Sequence, residues 1–223
     1  MLAAQTCKYR ELVRKARDNF QRQRAEQFTS LIPLALRRST IDVGGTPQFW
    51  NRLKDPGQLT LVNCDPLELK DSERYAALIG DGRHLDFPTG AFDLAFLNSV
   101  IEHVGDYDDM QMFANELRRV GKSYYCQTPN KWFPVEPHLG MLFLHWFPSL
   151  LNHYWVVRYL SLWGLLNKPD RETAARSIAN IKLITRRQLQ KFFPDSVIIV
   201  ERYFGIAKSY LAVRIASAAP AAR

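Results

Sequence analysis

The chain has 223 residues, of which 47% are hydrophobic and 23% are charged, and its formal net charge at pH 7 is +8. This length and composition are typical of one soluble globular domain with a sizeable core. The three cysteines, Cys7, Cys64 and Cys126, lie far apart, which excludes a disulfide framework or a cysteine metal site and predicts reduced thiols in a cytoplasmic protein. The first residues lack the pattern of a signal peptide.

The positive charge is concentrated at the start of the chain. Residues 1–38 hold nine Lys or Arg against three acidic residues, a surplus of six, and the remaining residues carry only two of the net charges. Apolar residues at helical spacing predict a basic amphipathic helix that ends near Pro33: Tyr9, Leu12, Val13, Ala16 and Phe20. We favour a helix that packs on the domain with a solvated basic face. Contact with an anionic membrane surface or with nucleic acid remains open.

From residue 40 onward, short apolar runs alternate with helical patterns, which predicts a parallel sheet covered on both faces. The candidate strands are 40–43, 59–63, 75–79, 92–97, 123–127, 197–200 and 210–215. Helices are predicted over 47–53 and 106–120, the second stopping at Gly121. A capping box at Thr185 and Gln188 predicts a short helix that ends before Pro194. The short link between the last two strands predicts that they pair antiparallel.

An aromatic-rich insertion, residues 131–175, interrupts this pattern. Its segment 139–157 contains no Asp, Glu, Lys or Arg, and its length approaches that of a membrane span. Polar residues and Pro148 disfavour a span, since each polar group is costly in hydrocarbon. We expect a helical cap over the active edge of the sheet, with an interfacial helix as the alternative. Residues 217–223 are predicted to form a disordered tail.

Three predicted strands end with an acidic residue beside a turn. Asp42 precedes Gly44 and Gly45, Asp65 follows 23 residues after Asp42, and Asp81 is followed by another glycine. Ligands of open parallel sheets bind outside the carboxyl ends of the strands, and an acid about 20 residues after the first turn can accept hydrogen bonds from ribose hydroxyls. Each acid alone is also compatible with a helix cap or a turn. Their recurrence at three strand ends indicates a nucleoside-binding edge.

The most specific run comprises Gly80-Asp81-Gly82-Arg83-His84-Leu85-Asp86-Phe87-Pro88, then Phe92-Asp93-Leu94, and then Asn98-Ser99-Val100-Ile101-Glu102-His103-Val104. In this run the chain resembles class I S-adenosylmethionine-dependent methyltransferases of the small-molecule type, over roughly residues 40–130. The resemblance implies an α/β fold with a doubly wound, mostly parallel seven-stranded Rossmann-like sheet and helices on both faces. It also implies a methyltransferase domain over 39–216 and S-adenosylmethionine as cofactor, with S-adenosylhomocysteine as product.

The resemblance assigns cofactor-binding roles to residues at the strand ends. Asp42, Gly44 and Gly45 would contact the methionine and ribose parts of the cofactor, and Asp65 would bind the ribose hydroxyls. The adenine would be held by Asp81, Gly82 and the adjacent Arg83. Asn98 would lie by the methionine moiety, near the sulfonium. The first loop departs from the family pattern, Gly-x-Gly-x-Gly, because it reads Gly44-Gly45-Thr46-Pro47. A different loop shape, with altered cofactor affinity, is therefore expected.

The residues after the fourth strand bear on the acceptor. Methyltransferases acting on planar amino groups commonly have Asn/Asp-Pro-Pro-aromatic there, which this chain lacks after Asn98. Some O-methyltransferases have Glu-x-x-Glu-His and bind a divalent metal, but Ser99 replaces the first Glu, so we expect no metal. We predict His103 as the base that deprotonates a hydroxyl, oriented by Glu102. The alternative is that this pair merely begins the next helix.

Trp132, Phe133 and His138 follow the fifth strand and are predicted to line the acceptor pocket; a rigid, proline-held connection is the alternative. The favoured function is methyl transfer from S-adenosylmethionine to a small, hydrophobic or lipid-like acceptor, at a hydroxyl oxygen, with peripheral membrane contact left open. One alternative is an RNA or protein methyltransferase that uses the basic N-terminal helix. Another is a catalytically silent, cofactor-binding relative.

Overall fold

The computed structural model describes residues 2–65, 73–136, 138–147, 154–179 and 181–216. Nine strands are assigned within these ranges: β1 Ser39–Val43, β2 Gln58–Asn63, β3 Ala76–Ile79, β4 Phe92–Asn98, β5 Gly121–Pro129, β6 Val135–Glu136, β7 Met141–Leu142, β8 Val197–Tyr203 and β9 Ile206–Arg214. All seven strands predicted from the sequence are present. The short antiparallel hairpin β6–β7 lies outside the main sheet and was not predicted.

The main sheet has the order β3-β2-β1-β4-β5-β9-β8. Strands β1 to β5 pair in parallel, whereas β9 is antiparallel to both β5 and β8, as the short link between the last two strands predicted. The strand order reverses between β1 and β4, so the ligand crevice of such a sheet is expected outside the carboxyl ends of these two strands. The predicted doubly wound, Rossmann-like α/β class is confirmed.

Seven α-helices are assigned in the described ranges: α1 Leu2–Leu31, α2 Pro47–Trp50, α3 Tyr107–Val120, α4 Tyr154–Leu160, α5 Leu162–Asn167, α6 Arg171–Ala179 and α7 Arg186–Phe192. Asp106 caps α3, and Thr185 and Gln188 form the predicted capping box of α7. α3 stops at Gly121, where β5 begins directly. α2 is only one turn, shorter than predicted, because the chain turns away after Trp50 has entered the core.

Two hydrophobic clusters cover the two faces of the sheet. One face packs against α3 and α7 through residues such as Phe113, Leu117 and Phe192. The other face packs against α1 and α2, where five aromatic rings lie with neighbouring centroids 4.8–5.7 Å apart: Phe28, Phe49, Trp50, Phe96 and Tyr125. The central strands are therefore buried on both sides, which explains their nearly continuous apolar sequences.

α1 is anchored by its second half. Ala25, Phe28 and Ile32 are buried in the cluster that packs against α1 and α2. They lie three or four residues apart and therefore on one face of the helix. Of the predicted stripe only the side chain of Phe20 is described, and its ring packs edge-on against Tyr203. The side chains of Tyr9, Leu12, Val13 and Ala16 lie outside the described set. The packing face thus continues beyond the predicted stripe to the end of α1.

The segment after β5 contains the hairpin β6–β7 and the short helices α4 to α6. Residues 137 and 148–153 within it lie outside the described ranges, as do residues 217–223, for which a disordered tail was predicted. In the parts of the chain that the structure describes, no helix has both the length and the apolar character needed to cross a membrane. After the segment, the chain returns to the end of β5, where Ile184 forms an isolated parallel bridge with Asn130.

Candidate functional site

Asp42 lies at the end of β1, at the reversal point of the sheet. Its carboxylate is buried; Oδ2 accepts a hydrogen bond of 2.6 Å from the indole nitrogen of Trp50, and Oδ1 has no hydrogen-bond partner among the described residues. Burial raises the pKa of Asp42 to about 7, although the Trp50 hydrogen bond opposes this shift. An acid in this state can both accept and donate hydrogen bonds near neutral pH.

The loop after Asp42 depends on two glycines. Gly44 has φ +76°, and a Cβ on Gly45 would lie 1.9 Å from Asp42 Oδ2, so the backbone passes directly over the carboxylate. Pro47 occupies the first position of α2 and carries no N–H. Because Pro47 lacks an N–H, this turn offers one backbone donor fewer than other helix starts do.

The end of β2 lies beside this loop. The amide of Asn63 lies 3.4 Å from the carbonyl oxygen of Gly45, and its Oδ1 accepts a hydrogen bond from the backbone of Asp65. Asp65, the predicted ribose ligand, is exposed. Asn63 thus connects the two strand ends, a role that the sequence argument missed because it followed only the acids.

The loop after β3 carries the predicted adenine site. The Asp81 carboxylate accepts hydrogen bonds of 2.6–3.0 Å from the Arg83 guanidinium, and a further Arg83 nitrogen donates to Asp109 at 2.6 Å. The hydrogen bond to Arg83 lowers the pKa of Asp81. A Cβ on Gly82 would lie 2.2 Å from the ring of Phe113, so this backbone is pressed against α3. Arg83 therefore fixes the loop to the start of α3.

Asn98, at the end of β4, contacts α1. Its Oδ1 accepts a hydrogen bond of 2.9 Å from Arg24, whose other nitrogen lies 3.7 Å from a Glu201 oxygen. The sequence argument treated Arg24 only as one of many basic residues. Its particular role could not be read from spacing, because Asn98 lies 74 residues away.

A cavity opens beside this contact, between α1 and the hairpin of β8 and β9. Its lining includes Phe20, Arg24, Gln27, Tyr203 and Lys208, and the Lys208 ammonium lies 3.7 Å from the centre of the Phe20 ring. β8 runs parallel to β4, so its end at Tyr203 lies on the same edge of the sheet as Asn98. No sequence pattern indicated this cavity.

Glu102 and His103 belong to a single 3-10 turn, Ile101–His103, just after β4. Glu102 is fully buried, and its Oε2 accepts a hydrogen bond of 3.1 Å from Thr128 on β5. Burial raises the pKa of Glu102 to about 7, against the opposing influence of nearby hydrogen bonds and charges. His103 is exposed. The predicted pair is therefore split between the core and the surface, although both residues sit at the same strand end.

His138 joins this pair from the insertion. Its Nε2 lies 3.1 Å from His103 Nε2 and 3.7 Å from Glu102 Oε1, while its Nδ1 lies 2.6 Å from Glu136 Oε1. Burial lowers the pKa of His138, but the Glu136 hydrogen bond and the two carboxylate charges outweigh this and raise it overall. Burial raises the pKa of Glu136, and its contacts with His138 and two backbone amides lower it overall. Glu136 had no role in the sequence argument.

The other two predicted acceptor residues lie elsewhere in the insertion. Trp132 is 57% exposed, and its ring centre is 6.3 Å from that of Trp146. Phe133 is half-buried, and its backbone amide donates to the carbonyl oxygen of Asn130. The structure thus brings His138 to the proposed catalytic pair and leaves Trp132 on the surrounding surface.

The strand-end residues fit an adenosyl cofactor. Asp42 carries an oxygen without a hydrogen-bond donor, the glycines bring the backbone close to the reversal point, and Asp65 leaves its carboxylate at the surface. The fit is closest at the ends of β1 and β2. The roles of individual residues toward the cofactor stay predictions.

Residues 41–124, from β1 to the start of β5, match the family model described as "Methyltransferase domain". A search of curated proteins gave no match. Among solved structures, the chain is similar to a SAM-dependent methyltransferase from Methanosarcina mazei, with 14% identity, a TM-score of 0.51, and coverage of 80% of this chain and 92% of the other.

Two further structures show the same fold. A proposed O-methyltransferase from Nostoc punctiforme PCC 73102 has 12% identity and a TM-score of 0.53, covering 88% of this chain and 56% of the other. The N-methyltransferase NodS from Bradyrhizobium japonicum WM9 has 11% identity and the same TM-score, covering 87% and 95%. Since the names of these two proteins specify different acceptor atoms, the fold does not determine the acceptor. The family match over residues 41–124 and the observed sheet together support a class I S-adenosylmethionine-dependent methyltransferase domain, which implies S-adenosylmethionine as its cofactor.

Proposed function

We propose that this methyltransferase acts on a hydroxyl oxygen of a small, hydrophobic or lipid-like acceptor. The observation that carries the proposal is the cluster of Glu102, His103 and His138 at the end of β4, beside the cofactor edge and next to an aromatic-rich insertion. An acceptor hydroxyl must lose a proton during methyl transfer, whereas the reactive methyl group comes from the cofactor.

His103 is the proposed base. Its ring is at the surface, where an acceptor can reach it, and its Nε2 lies 3.1 Å from the ring of His138. His138 is in turn held by Glu136, so a proton taken up by His103 can be shared with a neighbour that two carboxylates stabilise in its charged form. Glu102 supplies one of those charges from the buried side. These contacts support an acid–base role for the cluster.

The hydrophobic character of the acceptor is inferred from the insertion. Many of the exposed large apolar side chains in the described residues lie in this segment: Trp132, Leu142, Phe143, Phe147, Trp155, Tyr159, Leu160 and Leu165. Exposed apolar surface of this extent is typical of a binding site for a lipophilic ligand or of a contact with a membrane surface. Both uses fit an acceptor that partitions into lipid.

Methyl-labelled S-adenosylmethionine tests the proposal with matched acceptor pairs that share a hydrophobic carbon skeleton and carry either a hydroxyl or an amino group. We expect labelled product from the hydroxyl members only, detected by mass spectrometry. Label in the amino members alone would overturn the choice of acceptor atom. No label in either, with calorimetry showing that S-adenosylhomocysteine still binds, would favour the catalytically silent, cofactor-binding alternative.

The role of His103 is tested separately, once an acceptor is found. His103→Ala should reduce turnover while leaving S-adenosylhomocysteine binding unchanged. His84→Ala, in the loop after β3, provides the matched histidine control. Unchanged turnover in His103→Ala would show that His103 is not the base.

A further inference from the structure

We propose that Glu102, His103 and His138 form a binding site for one divalent first-row transition-metal ion. These three side chains come from two distant stretches of the chain, the turn after β4 and the insertion after β5. One potential ligand atom from each lies within 4.8 Å of the others. The site was not expected from the sequence, because Ser99 occupies the place of a family metal ligand; His138 supplies the third ligand instead.

The spacing of the two histidine nitrogens fits shared coordination. Metal–nitrogen distances of about 2.0–2.1 Å place two ligand atoms of a tetrahedral or octahedral ion about 2.9–3.4 Å apart. The two Nε2 atoms are 3.1 Å apart. Glu102 Oε1 lies 3.7 Å from His138 Nε2, slightly beyond this range. The third pair, Glu102 and His103, lies within 4.8 Å, and because His103 is exposed, a small rotation of its ring can shorten that distance.

Glu136 orients His138 for this role. The imidazole contacts Glu136 Oε1 through Nδ1, at 2.6 Å, and the same carboxylate accepts hydrogen bonds from the backbone amides of His138 and Leu139. Because a carboxylate accepts, the proton of the neutral ring lies on Nδ1, and the Nε2 lone pair points toward Glu102 and His103. A carboxylate on the outer nitrogen is the usual support of a metal-bound histidine.

Glu102 gives an independent indication. Its side chain is fully buried, yet Oε1 has no hydrogen-bond partner in the described residues, whereas Oε2 is bonded to Thr128. A buried carboxylate oxygen without a donor is costly, and a cation beside it would remove that cost. The oxygen that lies nearest His138 is the one that lacks a donor.

The ligand chemistry selects the class of ion. Two imidazoles and one carboxylate suit zinc, cobalt, iron or manganese and leave coordination positions open, whereas magnesium and calcium prefer oxygen ligands alone. An acceptor oxygen could occupy an open position, where the ion would favour loss of the hydroxyl proton in place of His103, whose Nε2 would then be a ligand; that use of the ion rests on the proposed function. Metal binding itself does not rest on the proposed function, since it requires neither cofactor nor acceptor.

Titration of the tag-free, full-length protein with Co²⁺ tests the site, because the visible absorption of bound cobalt reports the number and type of its ligands. We expect one Co²⁺ per chain, displaced by Zn²⁺. His138→Ala and Glu102→Gln should each weaken Co²⁺ binding by more than 10-fold, and Glu136→Gln, a change in a positioning residue, by about 10- to 100-fold with the spectrum retained. His145→Ala removes another insertion histidine and should bind as the unmodified chain does.

Near-ultraviolet circular dichroism identifies variants that have lost their fold, and Glu102→Gln provides a shape-conserving variant. The proposal is overturned if the unmodified chain gives no cobalt band, or if His138→Ala and His145→Ala bind Co²⁺ equally. Both results are independent of methyl transfer. A chain that binds Co²⁺ but methylates no hydroxyl acceptor would instead contradict the proposed function and leave the metal site standing.

Discussion

The cofactor edge, formed by the ends of β1 to β4, and the proposed acceptor side, formed by the turn after β4 and the insertion, are built in different ways. At the cofactor edge, glycines bring the backbone close to its neighbours; a Cβ on Gly45 or Gly82 would lie about 2 Å from another side chain. On the acceptor side, Glu102, Glu136 and His138 meet through side-chain contacts. The first region depends on local chain geometry and the second on distant segments coming together.

This difference explains which region the family model matches. Residues 41–124 run from within β1 through β4 to the start of β5 and stop before the insertion. A loop that must place its backbone against a neighbour tolerates few residue types, so its sequence is recognisable. An acceptor surface can be built from many combinations of side chains, so it changes with the substrate while the sheet stays the same.

The largest expected effect concerns Asp42 and the stability of the cofactor edge. Its pKa rises from 3.8 to about 7 on folding, so between these values the folded chain holds a proton that the unfolded chain has lost. The stability contribution present at low pH is therefore lost as the pH rises through this window. The shift of about three units corresponds to at most about 4 kcal/mol in the free energy of unfolding.

Urea unfolding between pH 4 and pH 8 measures this effect without cofactor. The free energy of unfolding of Asp42→Asn should depend less steeply on pH than that of the unmodified chain. Glu102 also has a raised pKa and is present in both proteins, so the difference between the curves isolates Asp42. Parallel curves would show that burial does not perturb Asp42.

The next effect concerns the loop over Asp42. In Gly45→Ala, the new methyl group would collide with the Asp42 carboxylate and force the loop away from the strand end. Overpacking of this kind costs about 1–3 kcal/mol, equivalent to about 5- to 150-fold weaker binding of S-adenosylhomocysteine if the whole cost falls on the bound state. Isothermal titration calorimetry measures this loss of affinity. In Gly205→Ala, φ is +79° but the new methyl group has nothing within 4 Å, so this control carries backbone strain without a collision. Equal losses in both variants would contradict the loop argument.

The sequence predicted the sheet well because buried strands have apolar runs that need no knowledge of their neighbours. The strand ends with acids could be identified for the same reason, since Asp42 lies at the end of a strand and Asp65 and Asp81 lie two residues after one. Glu102 and His103 were predicted from a local motif. Glu136 was not, because its importance depends on His138 reaching the end of β4, and no local pattern encodes that contact.

A third effect tests whether α1 belongs to the cofactor edge. Arg24→Met keeps the aliphatic stem but removes the hydrogen bond to Asn98 and the charge near Glu201. We expect a loss of about 1 kcal/mol, seen as roughly 5-fold weaker binding of S-adenosylhomocysteine in calorimetry. Arg22→Met is the matched control, because Arg22 is exposed and bonds Asn19 in the same helix. Equal affinities in the two variants would place α1 outside the functional edge.

The smallest effect concerns the rest of the positive charge on α1, which distinguishes a small-molecule enzyme from the RNA or protein alternative. Lys15 and Arg22 are exposed and make contacts within the helix, to Glu11 and Asn19, of a kind worth only about 0.3–0.5 kcal/mol at a surface. Neutralising both with glutamine should therefore change methyl transfer to a small hydroxyl acceptor by less than about twofold.

A polyanionic substrate would respond differently, because each lost phosphate contact lowers the salt dependence of binding by about one unit of slope. Measuring the affinity for a single-stranded RNA across a range of salt concentrations, for the double variant and the unmodified chain, separates the two. Salt-dependent binding that weakens in the variant would indicate that the substrate binds α1 rather than the insertion. The region to be compared with the cofactor edge would then be that helix.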